Sequence, residues 1–169
     1  MSAAWNAYGS ARRLIAGVGY RNLRDMSLGP VLIEQLRHEA WPPGVELDDL
    51  SYGPIGVLHT LEARPLYDRV IFVAGVHRQR QPGGVYCYAW RHELPDLEDI
   101  QARVAEAVTG VISLDNLLII LTYFEQLPQD VVVIEVEAAD TGWGEGLSAP
   151  GAQAVPQVLA AIYKHVRRL

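Results

Sequence analysis

The chain has 169 residues, of which half are apolar and a fifth are charged, and its formal net charge is −6. This length and composition are typical of one soluble globular domain with a sizeable core, and the acidic balance argues against nucleic-acid binding, for which a basic face is expected. A single cysteine excludes an internal disulfide and a multi-thiolate metal site, which favours a reducing, cytoplasmic location.

No apolar stretch reaches the roughly 18 residues that a membrane helix needs, and the first residues do not resemble a signal peptide. The sequence contains no internal repeat and no linker that would divide it. We therefore expect a single domain over residues 1–169, in which residues 1–11 form a loose leader, and no association with a membrane.

Apolar patterning predicts strands that alternate with helices along the chain. The predicted strands cover residues 14–18, 45–50, 69–76, 85–90 and 131–136. Predicted helices begin near Ser27 and near Val57, and three more cover residues 97–108, 115–126 and 153–168. The run 69–76 is apolar throughout, which is typical of a central strand covered on both faces. The pattern predicts a three-layer α/β/α sandwich around a mostly parallel, twisted sheet of about five strands, one of them antiparallel.

The strand 85–90 is the predicted antiparallel member. Only a Pro-Gly-Gly turn separates it from the run 69–76, which leaves no room for a crossover helix, so the sequence predicts a hairpin between these two strands. Cys87 lies in its middle among aromatic residues, and we interpret it as a packed core thiol.

The turn after the first strand, around Gly17 and Gly19, is the first place to look for chemistry, because ligand sites in such sheets lie at strand C-termini. The partial glycine pattern leaves a Rossmann-like nucleotide binder as one alternative, although the third glycine is missing. The simpler interpretation is a turn that needs a positive φ.

Three side chains follow strands or begin helices and are expected near the same sheet edge: Asp25, His77 and Asp115. Oxygen and imidazole donors of this kind suit a divalent ion. Two of them also have a simpler interpretation: the helix dipole favours an acid such as Asp115 in a first helical turn, and an exposed loop histidine such as His77 is common.

Several segments resemble the hydrogenase maturation proteases, the endopeptidases that trim the C-terminal tail of the nickel-iron hydrogenase large subunit. The resemblance spans residues 12 to 168 and implies the fold of that family. The segments, in order, are Gly17-Val18-Gly19-Tyr20 with Leu23, Asp25-Met26 and Gly29; the turn 51–56; Asp68 to Val73 with Pro82-Gly83; and Val133 to Glu137 with Gly146-Leu147-Ser148.

The resemblance also implies where that family holds its metal, and this chain departs from the pattern there. The three ligand positions correspond to Met26, Ala74 and Asp115, where the family has an acid, an aspartate and a histidine. A thioether and a methyl group cannot replace two hard carboxylates at a divalent ion. We expect no resident cofactor, and nickel, or zinc or cadmium in its place, only if Asp25, His77 and Asp115 form a rearranged site.

Two further functions therefore remain open besides nucleotide binding. The loss of two hard donors favours a protein that binds a hydrogenase-type large subunit, or the C-terminal peptide of that subunit, during assembly and has no catalytic activity. The alternative is an endopeptidase that removes the C-terminal tail of the large subunit through a rearranged site. Either function places a cleft between residues 19–26, 74–77 and 113–116. The expected partner-binding residues around it are Tyr20, Arg21, Arg24 and Trp143. The sequence leaves the oligomeric state open.

Overall fold

The computed structural model describes residues 11–168, so nearly all of the predicted leader lies outside the described residues. These residues form five strands, five α-helices and one 3-10 helix, Arg24–Ser27. The strands are β1 (Arg13–Val18), β2 (Val45–Asp49), β3 (Arg69–Val76), β4 (Val85–Ala89) and β5 (Asp130–Glu137). The α-helices are α1 (Leu28–Leu36), α2 (Pro54–Glu62), α3 (Leu97–Val108), α4 (Leu114–Tyr123) and α5 (Ala149–Arg167). Within the described part of the chain, no helix is long and apolar enough to cross a bilayer.

The five strands form one sheet in the order β2-β1-β3-β5-β4, parallel except for the pair of β4 with β5. The predicted mixed sheet is confirmed, but the predicted hairpin between β3 and β4 is wrong. Strands β3 and β5 pair along all eight of their residues and bury both apolar runs. Because β5 occupies that side of β3, the half-exposed β4 lies at the sheet edge.

Helices cover both faces of the sheet and give the predicted three layers. On one face the core is formed with α2, α3 and α4, and on the other with α1 and α5. Helix α5 begins four residues earlier than the predicted residue 153, because the Ser148 hydroxyl caps it by accepting the Gly151 N–H. Helix α4 ends at Tyr123, since Glu125 has a positive φ that a helix does not accommodate.

Glycines at the ends of β1 and β3 allow the 3-10 helix and α1 to approach the sheet closely. Gly17 and Gly19 do not have a positive φ, so that interpretation of the turn is wrong. A Cβ at Gly19 would overlap the Met26 carbonyl oxygen, and one at Gly75 would overlap the Asp25 carbonyl oxygen. These positions require glycine because a side chain would clash with neighbouring backbone, and not because the backbone has a positive φ.

We expect Gly75→Ala to lower the free energy of unfolding by about 3 kcal/mol, because the added methyl group meets the rigid backbone of Asp25 and Met26. Chemical denaturation measures the loss. Gly53→Ala is the control, since a Cβ there makes ordinary contacts at 3.4 Å or more. Equal losses for the two variants would contradict the close-approach explanation.

Candidate functional site

A cleft of about 160 Å³ opens at the C-terminal ends of β1 and β3. The turn after β1 and the 3-10 helix form one wall, and the N-terminus of α4 forms the other. The lining residues are Val18 to Tyr20, Met26, Ala74 to Arg78, and Ile112 to Asp115. This is the sheet edge at which ligands of parallel α/β folds bind.

Met26, Ala74 and Asp115, the positions that the resemblance assigned to metal ligands, all line this cleft. Their side chains do not fit a divalent ion, because a thioether is a soft donor and a methyl group is no donor. Among residues 11–168, no group of three His, Cys, Asp or Glu side chains is arranged to hold a metal ion. The donor set therefore does not match the metal that the resemblance implied.

The carboxylate of Asp115 is bound by a guanidinium that the sequence reasoning missed. Arg78 Nη2 donates to Asp115 Oδ1 at 2.7 Å, and Nη1 donates to Oδ2 at 3.1 Å. The same Arg78 donates to Glu135 through Nε at 3.1 Å and Nη2 at 2.8 Å. These carboxylates, Asp115 first, raise the pKa of Arg78 further above its ordinary value, so it stays charged.

Glu135 and Glu137 on β5 are the buried acids behind this guanidinium, each only 1% exposed. Arg80 Nη2 donates to Glu135 at 2.7 Å, and its Nε donates to Glu137 at 3.1 Å. The Tyr88 hydroxyl also donates to Glu135 at 2.8 Å. Each buried charge therefore has hydrogen-bonded partners of opposite sign, which such burial requires.

Burial raises the pKa of both Glu137 and Tyr88, but the net shifts of the two groups have opposite signs. Burial alone would raise the pKa of Glu137, but the Arg78 backbone N–H and the Arg80 guanidinium lower it more, so the carboxyl group stays ionised. Burial, followed by the bond to Glu135, raises the pKa of Tyr88 well above its ordinary value. The sequence does contain a pattern that indicates this cluster. It is Glu-Val-Glu at the end of the apolar strand β5, together with two arginines shortly after β3.

Asp25 does not face the cleft with the other two proposed donors. Its residue is 1% exposed, and its carboxylate accepts the backbone N–H groups of Ala139, Asp140 and Ser148 and the Ser148 hydroxyl at 2.7 to 3.1 Å. Burial alone would raise the pKa of Asp25, but these bonds lower it more, and the net pKa is lowered. Asp25 thus anchors the segment between β5 and α5, and the expected convergence with His77 and Asp115 is wrong.

His77 and Asp115 do line the same cleft. The His77 side chain is 62% exposed, and its Nδ1 lies 3.7 Å from the buried Glu137 Oε1. The structure thus places only two of the three proposed substitute donors together, and one of these is held by Arg78.

The four expected partner-binding residues surround the turn after β1 in different ways. The Tyr20 hydroxyl accepts the Ile112 N–H at 2.8 Å and so joins the two walls of the cleft. Arg21 pairs with Asp49 and Glu34, and Arg24 donates to the Glu145 carbonyl. Trp143 is 81% exposed. Their role in binding stays a prediction.

Cys87 is not a packed core thiol, because the edge position of β4 leaves it exposed. Its Sγ lies 3.3 Å from His165 Nε2. Partial burial raises the pKa of the thiol and, with the Arg69 charge, lowers that of the imidazole, so both are neutral near pH 7. A neutral thiol is a poor nucleophile.

The fold is that of proteins known for hydrogenase maturation. A hydrogenase 2 maturation peptidase from a Thaumarchaeota archaeon superposes with a TM-score of 0.66 at 22% identity, covering 92% of this chain and 98% of its own. The hydrogenase maturating endopeptidase HybD of Escherichia coli gives 0.62 at 22% identity, covering 91% and 93%. The nickel-iron hydrogenase maturation protease HycI of Thermococcus kodakarensis gives 0.66 at 23% identity, covering 95% and 96%. No protein-family model and no curated protein matches the sequence.

Proposed function

We propose that the protein binds a nickel-iron hydrogenase-type large subunit, or its C-terminal tail, during assembly, and that it does not cut the tail through a metal site. The shared fold supports the choice of partner. Because fold alone does not establish chemistry, our preference for a binding protein over a protease rests on the side chains of the cleft.

The observation that carries the proposal is the state of the three ligand positions in the cleft. Met26 and Ala74 supply no hard donor, and Asp115 is held by both terminal nitrogens of Arg78. A divalent ion at this place would have to displace a charged guanidinium and then bind through one carboxylate. Metal affinity depends on several well-placed donors, so this cleft is poorly suited to an ion.

The same surroundings suit an extended peptide. Met26 and Ala74 give the cleft an apolar part, while Arg78 places a charged guanidinium at its edge. Trp143 lies beside the same wall, because its neighbour Gly144 pairs with Leu23 as an isolated parallel bridge. Exposed aromatic residues next to a cleft are frequent anchors for a protein partner.

The alternatives have less support. An endopeptidase with a rearranged site would need Asp25, whose carboxylate is fully engaged by the segment between β5 and α5. A Rossmann-like nucleotide binder would need open space at Gly19, where a Cβ would already overlap the Met26 carbonyl oxygen. A third glycine and a helix directly after the turn are also missing.

A binding and cleavage assay tests the proposal. The probe is the unprocessed large subunit of a nickel-iron hydrogenase from the same organism, loaded with nickel. We expect saturable binding to the wild-type protein and no shortening of the subunit on a gel. Cleavage that depends on this protein, or the absence of binding, would contradict the proposal.

Trp143→Ala is expected to weaken that binding about tenfold, because an aromatic anchor that becomes buried against a partner commonly contributes this much to the binding free energy. Val108→Ala is the matched control, since Val108 is an apolar residue on α3 that is 72% exposed and does not line the cleft. Calorimetry with both variants measures the difference. Equal affinities of Trp143→Ala and Val108→Ala for the large subunit would show that Trp143 does not contribute to the interface.

A further inference from the structure

We propose that Arg78 is a built-in cation of the cleft, which occupies the space between Asp115 and Glu135 and excludes a divalent ion from it. This goes beyond the proposed function, because it concerns what replaces the metal and not which partner binds. It also identifies the group through which the cleft would recognise an oxygen atom of a ligand.

The geometry around one nitrogen carries the inference. Arg78 Nη2 lies 2.7 Å from Asp115 Oδ1 and 2.8 Å from Glu135 Oε1, so two carboxylates from different elements converge on a single cationic atom. Metal–carboxylate distances are only slightly shorter, at about 2.0 to 2.6 Å. The guanidinium therefore stands where these two carboxylates would otherwise hold a cation.

Glu135 also lies beside Ala74, the ligand position whose methyl group supplies no donor. In the β3–β5 ladder Ala74 is the register partner of Glu135. Because cross-strand neighbours of this kind point to the same face of a sheet, the carboxylate lies one strand away from the Ala74 methyl group. A buried acid beside the cleft is thus on β5, and it is neutralised from within the chain.

The segment after β3 holds the guanidinium in place. The Arg78 backbone N–H donates to Glu137 Oε1 at 2.8 Å, and two residues later Arg80 pairs with both buried acids. Gln79 between them has a φ of +59°, a conformation that side chains rarely adopt without compensation. Arg78 is consequently tied to β5 by its backbone as well as its side chain.

One donor of the guanidinium remains for a ligand. A guanidinium carries five N–H groups, and Asp115 and Glu135 accept from Nε once, from Nη1 once and from Nη2 twice. Among residues 11–168, no acceptor binds the second N–H of Nη1, and the Arg78 side chain is 32% exposed at the cleft. A carbonyl or carboxylate oxygen of an extended peptide is the chemical class that such a donor binds. This last step rests on the proposed function for the identity of the peptide.

Removal of the guanidinium charge tests the inference on the protein alone. The probe is cadmium chloride, followed by isothermal titration calorimetry, and the variant is Arg78→Met, which keeps the apolar stem. We expect no saturable binding to the wild-type protein. The variant should bind cadmium at least about tenfold more tightly than the wild-type limit, because Asp115 is released from the guanidinium while Glu135 keeps only its bonds to Arg80 and Tyr88.

Three further titrations complete the test. Arg80→Met is the matched control and should not bind cadmium, since Asp115 still pairs with Arg78. Adding Asp115→Asn to Arg78→Met should abolish the gain. Equal cadmium affinity of the wild-type protein and Arg78→Met, or a gain with Arg80→Met alone, would overturn the inference.

A measurement on the unmodified protein covers the case in which Arg78→Met does not fold. The Arg78 Nε–H donates to Glu135, so its NMR signal should exchange slowly with water and stay unmoved when cadmium is added. Exchange as fast as that of a solvent-exposed arginine, or displacement of the signal by cadmium, would overturn the inference. Neither experiment involves the large subunit. A failure of the proposed partner binding can therefore be distinguished from a failure of this inference about Arg78.

Discussion

Asp25→Asn should lower the free energy of unfolding by about 3 kcal/mol, because a buried carboxylate that accepts several hydrogen bonds is replaced by an amide that cannot accept them all. Three backbone N–H groups and the Ser148 hydroxyl converge on this carboxylate. The amide NH₂ would face at least one of these donors. Chemical denaturation measures the loss, and hydrogen exchange should show that residues 138–148 open first.

The contribution of the Asp25 carboxylate to the free energy of unfolding should depend on pH. Its pKa is lowered in the folded protein from an ordinary value of 3.8, so its contribution is fully present above about pH 4 to 5 and is lost as the pH falls through the folded pKa. The stability difference between the wild-type protein and Asp25→Asn should therefore shrink on acidification. Asp140→Asn is the control, because that carboxylate is exposed and accepts one local bond from Gly142. A pH-independent difference would contradict the anchoring role.

Restoring hard donors should create a metal site in this cleft. The variant combines Met26→Glu, Ala74→Asp and Asp115→His with Arg78→Met, so that three donors replace a thioether, a methyl group and an occupied carboxylate. We expect its affinity for nickel or zinc to exceed that of the wild-type protein by about a hundredfold or more, because each good donor adds substantially to the affinity of such sites.

The three donor substitutions without Arg78→Met are the informative comparison. The guanidinium would still pair with Glu135 beside the new site, and its charge would oppose the ion, so we expect a smaller gain. Calorimetry on both variants, with circular dichroism to check folding, measures the difference. No gain in either folded variant would show that the three positions do not share a usable site, in contradiction to the cleft geometry.

The sequence was most informative where one local signal dominated. The apolar run of β3 and the polar-faced α3 were predicted with the bounds that the structure has, Arg69–Val76 and Leu97–Val108. The three-layer fold followed from the alternation of strands and helices. The cleft at the ends of β1 and β3 followed from the rule that ligand sites lie at strand C-termini.

Long-range pairing was not predictable in the same way. The turn 82–84 has the length of a hairpin connection, but β5 pairs with β3 along eight residues and moves β4 to the edge. Arg78 and Glu135 are 57 residues apart in the chain, and only the β3–β5 register brings them together. The role of Asp25 was missed for a similar reason, since its partners lie more than 100 residues away.

The central claim is that the cleft at the ends of β1 and β3 presents a guanidinium, and not a set of hard donors, at the place where the resemblance implied an ion. The most direct test is a calorimetric titration of the wild-type protein with nickel and then with zinc. Our account predicts no saturable binding at the cleft up to millimolar concentration. Micromolar binding that is abolished by Asp115→Ala or His77→Ala would contradict it.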